Sequence, residues 1–178
     1  MRLDERIWRA FKGPAQWWVI WFAHSKFNAG CHGLVRDDQG RVLLVRNRMW
    51  PIGKQWGAPG GYANSGEPFP DAVAREVYEE TGYNVKAAAE PVHVKSGYKL
   101  RIELWYAAEL EGGELKLDPK EVLDAGWFDL DALPAGTHPA HQEVIETHRD
   151  WFTPKGDHEH HEARLDAQRD GHRHRGPA

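Results

Sequence analysis

Apolar residues recur along this chain with two different spacings, and the places where the spacing changes mark its elements. Residues 2–12 (RLDERIWRAFK) put Leu3, Ile7, Trp8 and Phe11 on one side of a short helix that Gly13-Pro14 ends. A second short helix is predicted from Ala15 to His24. After Asn28-Ala29-Gly30 the spacing shortens to two. Cys31 to Val35 and Arg41 to Val45 then read as strands of a hairpin around Asp37-Asp38-Gln39-Gly40. Asn47 to Gly57 is rich in turn residues and reads as a loop. Pro70 to Thr81 returns to helical spacing and stops at Gly82. Strands follow at 91–96 and 99–110, the second ahead of a turn at Glu111-Gly112-Gly113. Trp127-Phe128 reads as another short strand, and 138–152 as a closing helix. Strands on both sides of a central helix predict an α/β (α+β) sandwich.

The pattern fades at the C-terminus. Residues 155–178 carry charged residues, Gly, Ala and five histidines, with Leu165 as the one large apolar side chain. Such a segment buries too little to offset its ordering entropy and is expected to be disordered. His158, His160, His161, His172 and His174 are candidate ligands for a transition metal. Nothing orients those rings, so a solvated tail is the preferred reading. Three parts result: an aromatic-rich helical extension (1–29), one domain (30–153) and a polar tail (154–178).

Composition narrows the function. The net charge of −4 gives no reason to expect long nucleic acid as a partner. The single cysteine, Cys31, excludes an intrachain disulfide, which fits a cytoplasmic protein and equally a disulfide-free secreted one; the cytoplasm is the expectation. Nine tryptophans are unusual, and six of them precede residue 60. The apolar run Trp17 to Ala23 falls far short of the roughly 20 residues that span a bilayer. It is expected to pack on its own domain with a contribution to a homodimer interface. Membrane-surface association is the minor alternative, given Arg2, Arg6, Arg9, Lys12 and Lys26 nearby.

The chemistry lies in residues 61–83, GYANSGEPFPDAVAREVYEETGY. On a helix, Glu76, Glu79 and Glu80 fall within an arc of roughly 100°, with Val73, Ala74, Val77 and Tyr78 on the neighbouring arc. Like charges at this spacing repel, and the C-terminal half of a helix disfavours anions. A sequence that accepts both penalties is expected to gain a bound cation. Hard oxygen ligands without cysteine point to magnesium, or manganese, rather than zinc. A solvated acidic face would explain Glu-x-x-Glu-Glu alone. The full pattern fixes seven identities, a chance match on the order of 10⁻⁸ per window.

That stretch resembles the Nudix box, Gly-x5-Glu-x7-Arg-Glu-U-x-Glu-Glu-x-Gly-U with U apolar or aromatic, and every fixed position is matched. The flanking RVLLVR at 41–46, WGAPGG at 56–61 and GWFDLDALP at 126–134 are also similar to this family. The resemblance covers residues 30–152 and implies an α/β/α sandwich around a mixed sheet. It implies Glu76, Glu79 and Glu80 as metal ligands, with Glu79 and Glu80 also counted as catalytic. Glu67 would be a further acidic ligand, a residue supporting the ligands, or the base. Arg75 would orient the carboxylates. Gly60 and Gly61 would let the backbone approach metal or phosphate closely. The implied reaction is attack of water on a diphosphate, whose charge divalent metals neutralise while activating the water. A carboxylate accepts the proton. The box itself or a later loop supplies it, with Glu121 and Asp124 as the downstream candidates.

The resemblance leaves the substrate open within nucleotide-type diphosphates. Arg46, Arg48 and Lys54 are candidate phosphate contacts, and Trp50, Trp56 or Tyr98 could stack on a base. ADP-ribose hydrolases of this family tend to carry a proline after the box, in the region where Tyr98 stands here. A tyrosine slightly later is associated with dinucleoside polyphosphate hydrolases, and the chain leans toward them. Two other classes compete: a catalytically silent binding or regulatory module of the same fold, and an isomerase of isopentenyl diphosphate. The four box glutamates speak against the first. Cys31, in Gly30-Cys31-His32-Gly33, does not match the isomerase's cysteine motif.

Overall fold

The computed structural model describes residues 17, 18, 21, 22, 24, 26–96 and 100–153. The predicted helix at 2–12, most of the one at 15–24, and the tail beyond 153 lie outside them. Within the described residues the order is β1 (Asn28–Arg36), β2 (Val42–Asn47), β3 (Trp56–Gly57), β4 (Gly60–Tyr62), α1 (Phe69–Thr81), β5 (Tyr83–Ala87), β6 (His93–Ser96), β7 (Arg101–Gly113), β8 (Val122–Phe128) and α2 (Pro139–Thr147). A 3-10 helix, Arg149–Phe152, follows α2.

Alternation along the strands divides the core into two layers. Cys31 and Val35 of β1, Leu43 of β2, and Leu104, Tyr106 and Ala108 of β7 pack with Ala72, Val73 and Val77 of α1. Leu34, Val42, Leu44 and Trp105 point the other way, onto Val144 and Ile145 of α2 and onto Phe152. Helices therefore cover both faces, as the α/β/α expectation requires. The eight-stranded sheet is mixed. β1 and β7 run parallel over nine residue pairs, while β4 pairs antiparallel with β1, β5 and β6 with β7, and β3 and β8 with β2.

Three local readings change. The predicted loop 47–57 ends in β3, where Trp56 pairs with Arg46. The predicted turn at Glu111-Gly112-Gly113 is strand instead. Gly112 and Gly113 pair with Asn84 and Tyr83 of β5, a strand the sequence pattern did not reveal. The predicted closing helix breaks after Thr147 and resumes as the 3-10 turn. There the Arg36 guanidinium, 3.9 Å from the Trp151 ring, donates to the Trp151 and Thr153 carbonyls and fastens this turn to β1.

Candidate active site

Helix α1 is placed by its ends and by its apolar side. Pro70 lies in its first turn, where a missing N–H costs nothing. Gly82 closes it in the left-handed region (φ 76°) and donates its N–H to the Tyr78 carbonyl at 2.8 Å. The buried residues are Ala72, Val73, Val77, Glu80 and Thr81. This differs from the sequence expectation in two ways. Tyr78, assigned to the apolar arc, is exposed. Glu80, assigned to the exposed acidic arc, is only 3% exposed. At 100° per residue Glu80 falls about 20° from Val73, on the side away from Val77, so it is carried inward with Val73.

A cleft of about 750 Å³ opens beside that helix. On the α1 side it is lined by Arg75, Glu76, Glu79, Glu80, Gly60 and Gly61, and on another by Lys120 and Glu121. Strand β4 brings the glycines against the acids. The Gly60 N–H donates to Glu80 Oε2 at 2.9 Å. A Cβ on Gly61 would fall 2.5 and 2.6 Å from the Glu76 carboxylate oxygens, so only a glycine lets the backbone come this close.

Arg75 is the hub of the acidic group. Its Nε and Nη2 donate to the two oxygens of Glu67 at 2.8 and 3.0 Å, and its Nη1 to Glu76 at 2.7 Å and Glu79 at 3.0 Å. Nη2 also reaches the Tyr62 carbonyl at 3.1 Å. The Arg75 bonds, then the Asn64 N–H, hold the Glu67 carboxyl down to about 2. Glu67 is thus a charged anchor for Arg75, and it does not line the cleft.

Glu76 and Glu80 have the opposite electrostatics. Burial is the main force raising Glu76, against the Arg75 bond. Glu80 is pushed up to about 8, chiefly by burial, with the Gly60 N–H opposing and Glu76, Glu121 and Glu79 adding repulsion. A buried carboxylate surrounded by like charges is short of one thing, a cation. Among the described residues no three acids, histidines or cysteines are already gathered as a ligand cluster, and Arg75 occupies oxygens of Glu76 and Glu79. The donor chemistry fits a hard divalent ion: carboxylate oxygens, like-charge repulsion, and glycine backbone at close range.

Other residues singled out in the sequence lie elsewhere. Exposed Arg46 donates to Gln55 Oε1 at 3.2 Å, away from the cleft lining. Arg48 also lies off the lining. Its backbone N–H donates to the Glu121 carbonyl at 2.8 Å and its Nη2 to the Pro119 carbonyl at 2.9 Å. Trp56 packs edge-on to Phe128 in the α2-side core. Asp124 is exposed on β8, where its carboxylate accepts the Ala125 N–H. Tyr98 lies outside the described residues. Cys31 is fully buried on the α1 side, and burial lifts its thiol to about 11, so it offers the cleft no nucleophile.

Sequence reasoning passed over His32, Arg101, Glu103 and Lys120, all of which line the cleft. His32 Nε2 donates to Glu103 Oε2 at 2.8 Å, and Arg101 pairs with Oε1 at 2.8 Å. A signal was present in the strand phase. His32 shares the inward phase of Leu34, and Glu103 that of Trp105, where apolar residues are expected.

The NUDIX domain pattern matches residues 26–148. Two bacterial relatives are each named NAD-capped RNA hydrolase NudC. That of Chromobacterium violaceum is 33% identical over 101 residues, 57% of this chain and 38% of its own length. That of Escherichia coli (strain SMS-3-5 / SECEC) is 38% identical over 99 residues, 56% of this chain and 37% of its own. The chain thus spans less than two fifths of either relative. Among solved structures, the MutT NUDIX hydrolase from Burkholderia pseudomallei is 30% identical with a TM-score of 0.60, over 68% of this chain and 97% of that one. An ADP-ribose pyrophosphatase from Streptococcus suis is 26% identical with a TM-score of 0.55, over 66% and 87%. With the box intact, its helix set as described and the match running through most of the described residues, the chain belongs to the Nudix family.

Proposed function

We propose that the protein hydrolyses the diphosphate linkage of a nucleoside diphosphate derivative, with magnesium or manganese held by Glu76, Glu79 and Glu80. The observation that carries this reading is the Gly60-Gly61 backbone set against the Glu80 and Glu76 carboxylates on the cleft wall. The bound cation would neutralise the diphosphate and make water a better nucleophile. Arg75 orients Glu76 and Glu79 through charge-assisted bonds, and Glu67 fixes Arg75. Glu121, across the cleft, is the candidate proton acceptor. Lys120 is the cleft cation that could meet phosphate oxygens, in place of Arg46 and Arg48. The relatives named for NAD-capped RNA and ADP-ribose support a nucleotide-type substrate with a diphosphate. A cytoplasmic homodimer belongs to the same proposal. Among the described residues no helix is long and apolar enough to cross a membrane.

The test is product analysis with NAD, ADP-ribose and diadenosine polyphosphates, in magnesium and in excess chelator. Metal-dependent release of a nucleoside monophosphate is expected, and Glu80→Gln should lower it by about 100-fold or more. Turnover that persists in chelator overturns the metal assignment. A folded protein inert toward every diphosphate would instead be a binding module.

A further inference from the structure

The cleft has a second side that the proposed chemistry leaves unused. It is built from β1, β7 and the loop after β2, on the α2 face of the sheet, and its lining includes Trp50, His32, Arg101 and Glu103.

Trp50 is seated there by design of its neighbours. It is half-buried at the tip of a loop closed by Asn47, whose N–H donates to the Gln55 carbonyl at 2.8 Å. Its ring meets His141 and His138 at tilted angles, with centroids 4.6 and 5.4 Å away. Gly57 makes the room: a Cβ there would fall 2.6 Å from Trp50 Cζ3 and 2.6 Å from His141 Nδ1. Among the described residues no ring is stacked face to face on Trp50. An indole tilted against two imidazoles, with no described ring stacked on it, stands on the cleft wall where another flat ring can meet it.

Glu103 is fixed just as firmly. His32 and Arg101 each bond one carboxylate oxygen, and His32 is itself stacked on Trp105 at 4.5 Å. Gly30, paired with Glu103 across the sheet, leaves the carboxylate its space, for a Cβ there would collide with it. Each oxygen keeps a second lone pair for a donor. The charge balance decides what can sit here. Arg101 and His32 are both committed to Glu103, so this side offers further phosphates little and a neutral, donor-bearing group much.

We propose that the α2 side of the cleft recognises the nucleoside of the substrate, with Trp50 stacking on its base and Glu103 accepting its hydroxyl or amino donors. Both are specificity-determining residues, and His32 is a positioning residue for Glu103. The inference rests on the diphosphate-hydrolase reading of the same cleft, and it is tested by binding rather than by turnover.

The experiment is calorimetric titration of the full chain with AMP, GMP, CMP, UMP and, as the probe without a base, ribose 5-phosphate. Stacking on one aromatic is worth about 1–3 kcal/mol per base, or roughly 5- to 150-fold. Trp50→Ala should therefore weaken the preferred nucleotide by about 10-fold or more relative to ribose 5-phosphate, and Trp50→Phe should restore most of it. Glu103→Ala should weaken the nucleotide by about 10-fold with the protein still folded, its thermal midpoint lowered by the lost His32 bond. An unchanged nucleotide-to-sugar ratio in Trp50→Ala, or a wild-type protein that binds none of the four nucleotides, overturns the inference. If Trp50→Ala does not fold, the Trp50→Phe and Glu103→Ala proteins decide alone: no loss in Glu103→Ala is then sufficient to reject it. Trp50-dependent AMP binding without diphosphate turnover would keep this site and remove the hydrolase reading. Metal-dependent turnover with Trp50-independent binding would do the reverse.

Discussion

The Gly60 N–H donates to the Glu80 carboxylate at 2.9 Å, joining the short strand β4 to the most buried acid of α1. This bond and the Gly61–Glu76 contact give the two glycines different tasks. At Gly60 a Cβ would strike the Cys31 carbonyl and come within 2.8 Å of His32 Cα, both on β1. At Gly61 the nearest atoms it would strike are those of the Glu76 carboxylate. Gly60→Ala should therefore lower stability by about 1–3 kcal/mol, because β4 must move off β1. Gly61→Ala should keep its thermal midpoint and lose activity by about 10- to 100-fold, because Glu76 is displaced. Paired melting curves and kinetics check both, and equal destabilisation by the two would contradict the division.

Glu80→Gln separates fold from function. Burial already pushes the Glu80 carboxyl up to about 8, so removing its charge takes away a desolvation cost and little volume. The amide keeps an oxygen for the Gly60 N–H. Turnover should fall by about 100-fold or more, since a group that acts in the reaction is usually worth that much. The thermal midpoint measured in chelator should hold or rise. A drop of several degrees would show that the charge itself supports the fold.

Arg48 predicts a change in rate without contact to the substrate. Its side chain holds the Pro119 carbonyl, and its N–H holds that of Glu121, so it fastens the turn that carries Lys120 and Glu121. Arg48→Ala keeps the second bond and loses the first. A fall in kcat of about 10-fold is expected, with KM changed much less. Arg48→Lys, whose single ammonium can still meet one carbonyl, should recover part of it. A purely raised KM would return Arg48 to direct phosphate binding.

His141 sets an acid limit on stability. It is buried, and its Nδ1 accepts the Ala58 N–H at 3.1 Å, which requires the neutral ring. Burial, then His32 and His138, holds its pKa well below 6.5. The unfolded chain therefore takes the proton first. Stability is complete above about pH 6.5 and falls as pH drops below it, by up to about 1.4 kcal/mol per unit for one proton. His141→Gln should be less stable at pH 8 through lost packing, yet flatter between pH 7 and 5. Chemical denaturation across that range measures the difference in slope, and parallel slopes would rule out His141 as the cause.

How far the site could be read from the sequence follows from which forces act locally. The helix Phe69–Thr81 and its stop at Gly82 depend on local spacing and capping, and both were legible. So was the acidic group, because Glu76, Glu79 and Glu80 lie within two turns of one another. The burial of Glu80 was not legible, since it depends on what α1 packs against. Strand β5 escaped notice because Tyr83–Ala87 follows the helix at once and finds its partner further on, at Ala108 to Gly113. His32 and Glu103 escaped for the same reason. They are 71 positions apart, and only the parallel pairing of β1 with β7 brings them to 2.8 Å. Arg46 and Arg48 were suggested by charge alone, and charge alone does not say which way a strand end faces.

The aromatic residues ahead of β1 predict self-association. Trp17, Trp18 and Phe22 are 60–72% exposed and Trp21 is 44% exposed. Trp18, Trp21 and Phe22 touch one another, with ring centroids 5.0–5.9 Å apart, and Lys26 Nζ stands 4.2 Å over the Trp21 ring. Each such side chain offers about 150–250 Å², so the group exceeds the apolar patch a monomer ordinarily leaves in water. A second copy of the chain would cover it, and tryptophan is favoured at the centre of such interfaces. Light scattering on the full chain should give the mass of a dimer. Replacing Trp17, Trp18 and Phe22 with serine should return a monomer, and because none of the three belongs to the two-layer core, its far-ultraviolet spectrum and melting curve should stay close to wild type. A dimer that survives the triple substitution places the interface elsewhere. A monomeric wild type whose tryptophan emission shifts to the blue on anionic vesicles assigns the patch to a membrane surface, with Lys26 among the groups that meet the lipid charge.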